Sequence, residues 1–369
     1  MIISKLSFQN FRNLEEGSIT PGSGINVIYG NNAQGKTNLL EAIWLFTGGH
    51  SFRGNKDKEL PRLVDGINTP NCKLSAEFFS FQREQNADIV IKDYKKSCNL
   101  NGIQNKSAAF LVGKICAVIF SPEHLDLIKE GPNKRRAFID AAICQIKPSY
   151  ASLLSKYNRV IVQRNALIKE LYKNPYLEDT LDIWDERMAS LGSEIIKERI
   201  KYIENLKPRV KEIYSGMSKN KEELSIELSL SFDIDGEDIY SSFLKALNLK
   251  RKSDITQGFS SIGPHRDDLL LYIDGKSART FGSQGQQRSC VLSLKLSEAD
   301  LLEKSVGEAP IILLDDVMSE LDYLRQDYLL NHLKDKQVFI TCCSPETVNL
   351  LKKGKTFYVE NGIVKENDI

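Results

Sequence analysis

The stretch INVIYGNNAQGKTNLLEAIWLF, residues 25–46, decides the fold. INVIY is a short apolar run with the character of a buried strand, and NLLEAIWLF sets Leu39, Leu40, Ile43 and Trp44 on one face of a helix. Between them, GNNAQGKT at residues 30–37 fits the spacing G-x-x-x-x-G-K-[ST]. The spacing has a chemical reason. Gly30 and Gly35 allow the backbone to curl, so that N–H groups along Asn31, Asn32, Ala33 and Gln34 turn toward phosphate oxygens. The following helix offers its positive end to the same anion. Lys36 is then expected to reach the β and γ phosphates of ATP, and Thr37 to give its hydroxyl to Mg2+. A glycine-rich turn with a surface lysine is the plainer reading, and it leaves the strand before and the helix after unexplained.

IILLDDVMSELD, residues 311–322, supplies the partner such a loop needs. An apolar strand buried on both faces ends in carboxylates at its C-terminal edge, where α/β sheets bind ligands. Asp315 is expected to hold Mg2+ through water, and Asp316 to polarise the attacking water as general base. Ser319 to Asp322 form the loop that follows. Two adjacent acids at a solvated turn are common; beside a phosphate loop they read as a site.

The chain of 369 residues is long enough for one large domain or two ordinary ones. With 41% hydrophobic and 27% charged residues it has a globular composition, and a formal net charge of +1 gives no global basic field. MIISKLSFQNFRN lacks the layout of a signal peptide, and no apolar run approaches the ~18 residues of a membrane span. The seven cysteines include no CxxC pair, so they are expected to be reduced thiols of a cytoplasmic protein, mostly in the core.

Away from the two motifs the chain separates by texture. Residues 1–29 read as strand, turn, strand, with Ile2, Leu6 and Phe8 on one face. CKLSAEFF, DIVI, CNLNGIQ and ICAVIF read as strands between residues 72 and 120, with a hairpin turn at Asn101-Gly102. Residues 123–215 are charged, poor in glycine and helical in period. Trp184, Met188, Leu191 and Ile195 mark an apolar face, and Pro208 is expected to kink or end a helix. LSIELSLSF reads as a strand, EDIYSSFLKAL as a helix, and DLLLYIDGKSART as a hairpin at Asp274-Gly275. QVFITCC is a further buried strand, and TFYVENGIVKE a hairpin at Asn361-Gly362. The expected division is a discontinuous ATP-binding lobe, residues 1–122 and 260–369, with a mainly helical lobe inserted at 123–259.

SQGQQRS, residues 283–289, sits at that boundary, ahead of the apolar helix pattern CVLSLKLSEADLL. Ser283 can cap the helix, and Gly285 lets backbone N–H groups approach an anion. Since GNNAQGKT already holds a nucleotide, the ligand of this second loop is most simply the γ-phosphate held by another copy. The phosphate loop, SQGQQRS, LLDDVMSELD and NFRN together resemble an ATP-binding-cassette ATPase of the SMC-like branch. SPEHLDLIKEGPNKRRAFID, GPHRDD and SELDYLRQDYL narrow the resemblance to the RecF recombination mediator family of bacteria, from residue 1 to about 365.

That resemblance implies an ATPase head whose P-loop α/β core carries an antiparallel β subdomain and an inserted helical lobe. It implies a homodimer that sandwiches two ATP molecules. Ser283 and Gly285 would contact the γ-phosphate in trans, Gln284, Gln286 and Gln287 would line that loop, and Arg12 of NFRN would approach the phosphates in cis. The family's function is ATP-dependent DNA binding at single-strand gaps and double-strand/single-strand junctions. With RecO- and RecR-type mediators it supports RecA loading. Two departures from transporter cassettes accompany this. Ser121 or a neighbour stands where they carry Gln, and Thr341 followed by two cysteines stands where a switch histidine is common. Asp316 replaces their glutamate, so hydrolysis is expected to be slow, with ATP acting as a dimerisation switch.

Two basic clusters remain: Lys129, Lys134, Arg135 and Arg136, and Lys245, Lys250, Arg251 and Lys252. Each could bind DNA phosphates or be a solvated face, and Arg135 and Arg136 could instead pack against acids such as Asp140. His265 and Arg266 could be structural or tied to ligand. A chromosome-scale tether would need a far longer coiled coil, and a transporter subunit would carry the missing Gln and His. A small-molecule kinase would not need SQGQQ.

Overall fold

The structure is a computed structural model. It describes residues 1–367 apart from 54–55, 65–66, 70, 94, 172, 237 and 344–353. By packing, the chain divides into two compact units: Met1–Leu125 with Val291–Ile369, and Asp126–Cys290.

In the first unit two six-stranded sheets face each other. One orders its strands Leu14–Ile19, Ile2–Phe11, Asn71–Ser80, Arg83–Lys92, Lys95–Leu100 and Ile103–Asn105, all antiparallel. The other orders Ala117–Phe120, Ile311–Asp315, Val338–Cys342, Ile25–Tyr29, Gly354–Glu360 and Ile363–Asn367, and only the last strand is antiparallel. The helix Lys36–Leu45 lies in the shared core. Its Leu39, Leu40 and Ile43 pack in one cluster with Leu6, Phe8 and Leu74 of the first sheet and Ile28, Leu313 and Phe339 of the second. Burial on both faces explains why the strands of the second sheet read as unbroken apolar runs.

One local expectation changes, and two others gain detail. Ile3, not Ile2, joins Leu6 and Phe8 in the core, because the pairing with Asn71–Ser80 shifts register between Ile3 and Lys5. One extra residue flips the alternation, as a β-bulge does. ICAVIF leaves the antiparallel strands it follows in sequence, and its Ala117–Phe120 pairs in parallel with Ile311–Leu314. Gly at each expected hairpin turn takes a positive φ: 84° at Gly102, 75° at Gly275 and 78° at Gly362.

The second unit is built on the helix Leu181–Ser218, which packs with helices Ser149–Glu170 and Ile239–Gln257. Pro208 neither ends nor divides it; the 38-residue helix continues through that position. Leu206, Val210 and Ile213 on either side are buried, and their packing outweighs the lost backbone bond. Gly192 lets the neighbouring helix close in: a Cβ there would lie 2.5 Å from the Phe243 ring. The expected lobe boundary at residue 259 separates strands that pair. Asp268–Ile273 pairs with Leu224–Ser229, so by contact it belongs to this unit. No helix among the described residues is long and apolar enough to cross a membrane.

Candidate functional site

The phosphate loop leaves the parallel sheet at Tyr29. Gly30 has φ 147°, and a Cβ on it would lie 2.3 Å from the Val359 carbonyl oxygen, so only glycine fits. Gly35, at φ 117°, is the N-cap of helix Lys36–Leu45, with no side chain capping the first turn. That helix end keeps N–H groups available for an anion. Lys36 is buried, and its ammonium donates to the carbonyls of Gly30 at 2.6 Å and Asn31 at 2.9 Å. The loop thus curls around the cation, and the Cys343 sulfur stands 3.8 Å from Nζ.

The acids come to the same edge. Asp315 ends a fully buried strand, and its Oδ1 accepts from Thr37 Oγ1 and Thr341 Oγ1, each at 2.8 Å. Burial pushes its carboxyl up from the ordinary value. Thr37 and Thr341 pull it back, the Asp316 charge raises it and Arg53 lowers it. Asp316 has a left-handed backbone, φ 53°, and its N–H donates to Thr341 Oγ1 at 2.8 Å. Its carbonyl accepts from Ser319 Oγ at 2.8 Å. Thr341 therefore uses its one proton on Asp315 and a lone pair on Asp316. Sequence reading assigned it no role, and its only signal was a hydroxyl at the end of an otherwise apolar strand. The meeting of Thr37 hydroxyl and Asp315 carboxylate is an oxygen donor set suited to Mg2+.

Arg12, expected to approach the nucleotide, is engaged with its own unit. Nε and Nη2 grip the two oxygens of fully buried Glu41 at 2.9 and 2.8 Å, and Nη1 donates to the Glu59 carbonyl at 2.9 Å. The neighbour in NFRN was missed: Asn13 Nδ2 donates to the Ala33 carbonyl at 3.3 Å, and Asn13 Oδ1 accepts from Asn38 at 2.7 Å.

In the second unit, SQGQQRS starts the helix Gln284–Val306. Ser283 and Gln286 form a reciprocal cap: Ser283 N–H donates to Gln286 Oε1 at 2.7 Å, and Gln286 N–H to Ser283 Oγ at 3.3 Å. Gln286 also donates to Glu222 at 2.7 Å, and buried Gln287 donates to the Ala278 carbonyl at 3.2 Å. Ser283 and Gln284 are exposed, and Gly285 is half-buried.

The basic clusters are largely spoken for. Arg135 is buried and bidentate to Asp268 at 2.6 and 2.8 Å, while Arg136 donates to the Asp267 carbonyl at 2.6 Å. Asp140 takes neither; it is gripped by Arg199 at 3.0 and 2.8 Å. Arg251 binds Asp182 and Asp185. Lys129, Lys134, Lys245, Lys250 and Lys252 stay exposed. His265 lies between Tyr157 Oη at 3.0 Å and the Ser260 carbonyl at 3.1 Å, and burial pushes its pKa down to about 4. Arg266 donates to the same carbonyl at 3.0 Å and lies over the Phe259 ring at 4.8 Å. GPHRDD is thus a structural knot of this unit.

Known proteins are similar to this chain over nearly its whole length. A family model described as the RecF/RecN/SMC N terminal domain matches residues 2–365. The DNA replication and repair protein RecF of Acetivibrio thermocellus is 40% identical over 367 residues, covering 97% of this chain and 98% of its own. That of Agathobacter rectalis is 41% identical over 371 residues, covering both chains completely, 100% and 100%. A solved structure of the recombination mediator protein RecF with ATP, in the RecFOR pathway, aligns with TM-score 0.91 at 36% identity. It covers 99% of this chain and 97% of its own. An Smc head bound to the C-winged helix domain of ScpA aligns over 100% of this chain and 98% of its own, with TM-score 0.58 at 15% identity, a likeness of fold alone.

Proposed function

This chain belongs to the RecF family of DNA replication and repair proteins, and we propose that it works as an ATP-gated DNA clamp. ATP and Mg2+ bind at GNNAQGKT and Asp315, and a second copy closes on the nucleotide through SQGQQ. The observation that carries this reading is the convergence of Lys36, Thr37, Asp315 and Asp316 at one sheet edge, linked by Thr341. The solved RecF with ATP supports the choice of nucleotide.

Each residue then has a task. Lys36 exchanges the loop carbonyls it now holds for phosphate oxygens. Thr37 and Asp315 would hold Mg2+, which when bound neutralises charge on the β and γ phosphates. Asp316, set by Thr341 and Ser319, is the base that orients the attacking water. Its side chain is one methylene shorter than glutamate, so hydrolysis is slow and ATP serves as a switch of association. Ser283 and Gly285 complete the site from the partner copy. The charged surface for DNA is reduced to the exposed lysines, since Arg135 and Arg251 are committed internally. Work alongside RecO- and RecR-type mediators is supported by the RecFOR pathway of the solved relatives; action at gaps and junctions is what the family resemblance implies.

The deciding experiment is the mass in solution with and without ATP and gapped DNA, for the wild type and Ser283→Arg. ATP is expected to convert wild type, and not the variant, to a dimer, with DNA strengthening the conversion by linkage. A wild type that stays monomeric with ATP ends the sandwich reading.

A further inference from the structure

The hairpin at residues 354–367 touches the phosphate loop at its turn. Asn361 N–H donates to Gln34 Oε1 at 2.5 Å, and Gly362 N–H donates to the Gln34 carbonyl at 3.2 Å. The Gly362 carbonyl accepts from Glu15 N–H at 3.4 Å. The fit is close: a Cβ on Gly362 would stand 2.0 Å from the Asn13 carbonyl oxygen. Asn13 in turn donates its side-chain amide to the Ala33 carbonyl. Two successive loop carbonyls, Ala33 and Gln34, are thus held from outside by a chain end and by the turn after the first strand.

Peptide planarity gives these bonds their consequence. In a trans peptide the C=O and the next N–H point in opposite directions. Holding the Gln34 carbonyl toward the hairpin aims the Gly35 N–H away from it. Holding the Ala33 carbonyl on Asn13 does the same for the Gln34 N–H. Lys36 holds the carbonyls of Gly30 and Asn31. A phosphate loop acts through such N–H groups, and its affinity depends on their being oriented before the ligand arrives.

We infer that the Asn361-Gly362 turn, with Asn13 and the Gln34 side chain, is a positioning device that sets nucleotide affinity from outside the anion site. This rests on the phosphate-binding reading above. Gly362, Gln34 and Asn13 act through the backbone of the loop.

The test measures ATP dissociation constants and steady-state hydrolysis on the full chain. Gly362→Ala is expected to weaken ATP binding about tenfold or more, through lost preorganisation. The control is Gly102→Ala in the other Asn-Gly turn of the same unit. Gly102 also has positive φ, 84°, but a Cβ there meets nothing within 4 Å. It carries the same backbone strain and is expected to leave ATP affinity within about twofold. Gln34→Leu removes the side-chain acceptor of Asn361 N–H, together with a long 3.5 Å bond from Gln34 Nε2 to the Asn32 carbonyl, and should raise KM about threefold while kcat at saturating ATP is kept. If Gly362→Ala does not fold, Gln34→Leu decides alone. A folded Gly362→Ala with wild-type affinity, equal losses in both glycine variants, or a Gln34→Leu that lowers kcat at unchanged KM each overturn the inference. A wild type that binds no ATP overturns the phosphate-site reading itself, and so is told apart from these.

Discussion

Charge is handled differently at the phosphate loop and in the helical unit. At the phosphate loop, Lys36 rests on two backbone carbonyls, and Asp315 on two hydroxyls. All of these partners are neutral. In the helical unit, Arg164 lies fully buried between Asp185 at 2.6 Å and Asp254 at 2.7 Å, and Arg199 grips Asp140. Those partners carry full opposite charge. A neutral partner can be exchanged for a ligand at little cost, whereas a buried counter-charge cannot be left behind. The same residue types therefore serve a site in one unit and a scaffold in the other.

The comparison is most easily broken by removing one cation from each. Arg164→Ala leaves Asp185 and Asp254 without their shared cation, although Arg251 still reaches Asp185. It is expected to cost about 3–5 kcal/mol of stability, or to prevent folding. Lys36→Met leaves two loop carbonyls without a donor and should cost about 1–3 kcal/mol, while abolishing ATP binding. Denaturant unfolding of both variants checks the pair. A Lys36→Met as damaging as Arg164→Ala would mean that the site cation is a structural one too.

How far each unit was legible in the sequence follows from the same difference. The site depends on short-range chemistry. Glycines at fixed offsets, a lysine-threonine pair and two acids after an apolar strand are visible one stretch at a time. Turn positions were legible for the same reason, since Asn-Gly and Asp-Gly specify a backbone locally. The scaffold depends on pairs far apart in the chain. Arg135 finds Asp268, not the nearer Asp140, and Arg164 finds Asp254 across a span of helices. Nothing in KRRAFID or RNALIKE names those partners, so in the sequence Arg135 stays open between DNA, solvent and an acid such as Asp140, and Arg164 is not singled out. Pro208 does not end the helix, because packing on both sides carries it past that position. Thr341 was illegible because its importance lies in two acids on a neighbouring strand.

The helical unit also stores opposing titrations. Burial raises the Asp267 carboxyl from 3.8 to about 6, against the pull of Arg199 and the Ser231 N–H. Its protonated form is favoured by folding, so its stabilisation is complete below pH 3.8 and is lost as pH rises through 6. His265 runs the other way: its pKa is lowered from 6.5 to about 4, so its contribution is present above 6.5 and lost as pH falls through 4. Asp267→Asn removes the first contribution and unmasks the second. The variant is expected to exceed wild type by about 3 kcal/mol at neutral pH, and the gain should vanish near pH 4. Unfolding free energies measured across that range check it. A gain independent of pH would mean that Asp267 is not the titrating group.

The smallest effect tests whether neutral partners at the site matter for chemistry more than for folding. Thr341→Val keeps the shape of a β-branched side chain and removes one hydroxyl. Asp315 loses a donor that helps keep its carboxyl ionised, and the Asp316 N–H loses its acceptor. The stability cost should be about 1–2 kcal/mol. Hydrolysis should fall more, about tenfold, because Asp316 sits in a left-handed conformation that its bond to Thr341 helps to hold. ATP affinity should stay close to wild type, since Lys36 and the loop are untouched. Thr341→Ser retains the hydroxyl and should recover most of the rate. If Thr341→Val hydrolyses ATP at the wild-type rate, the left-handed Asp316 is held by its own loop, through Ser319, and the bridge between the two acids is dispensable.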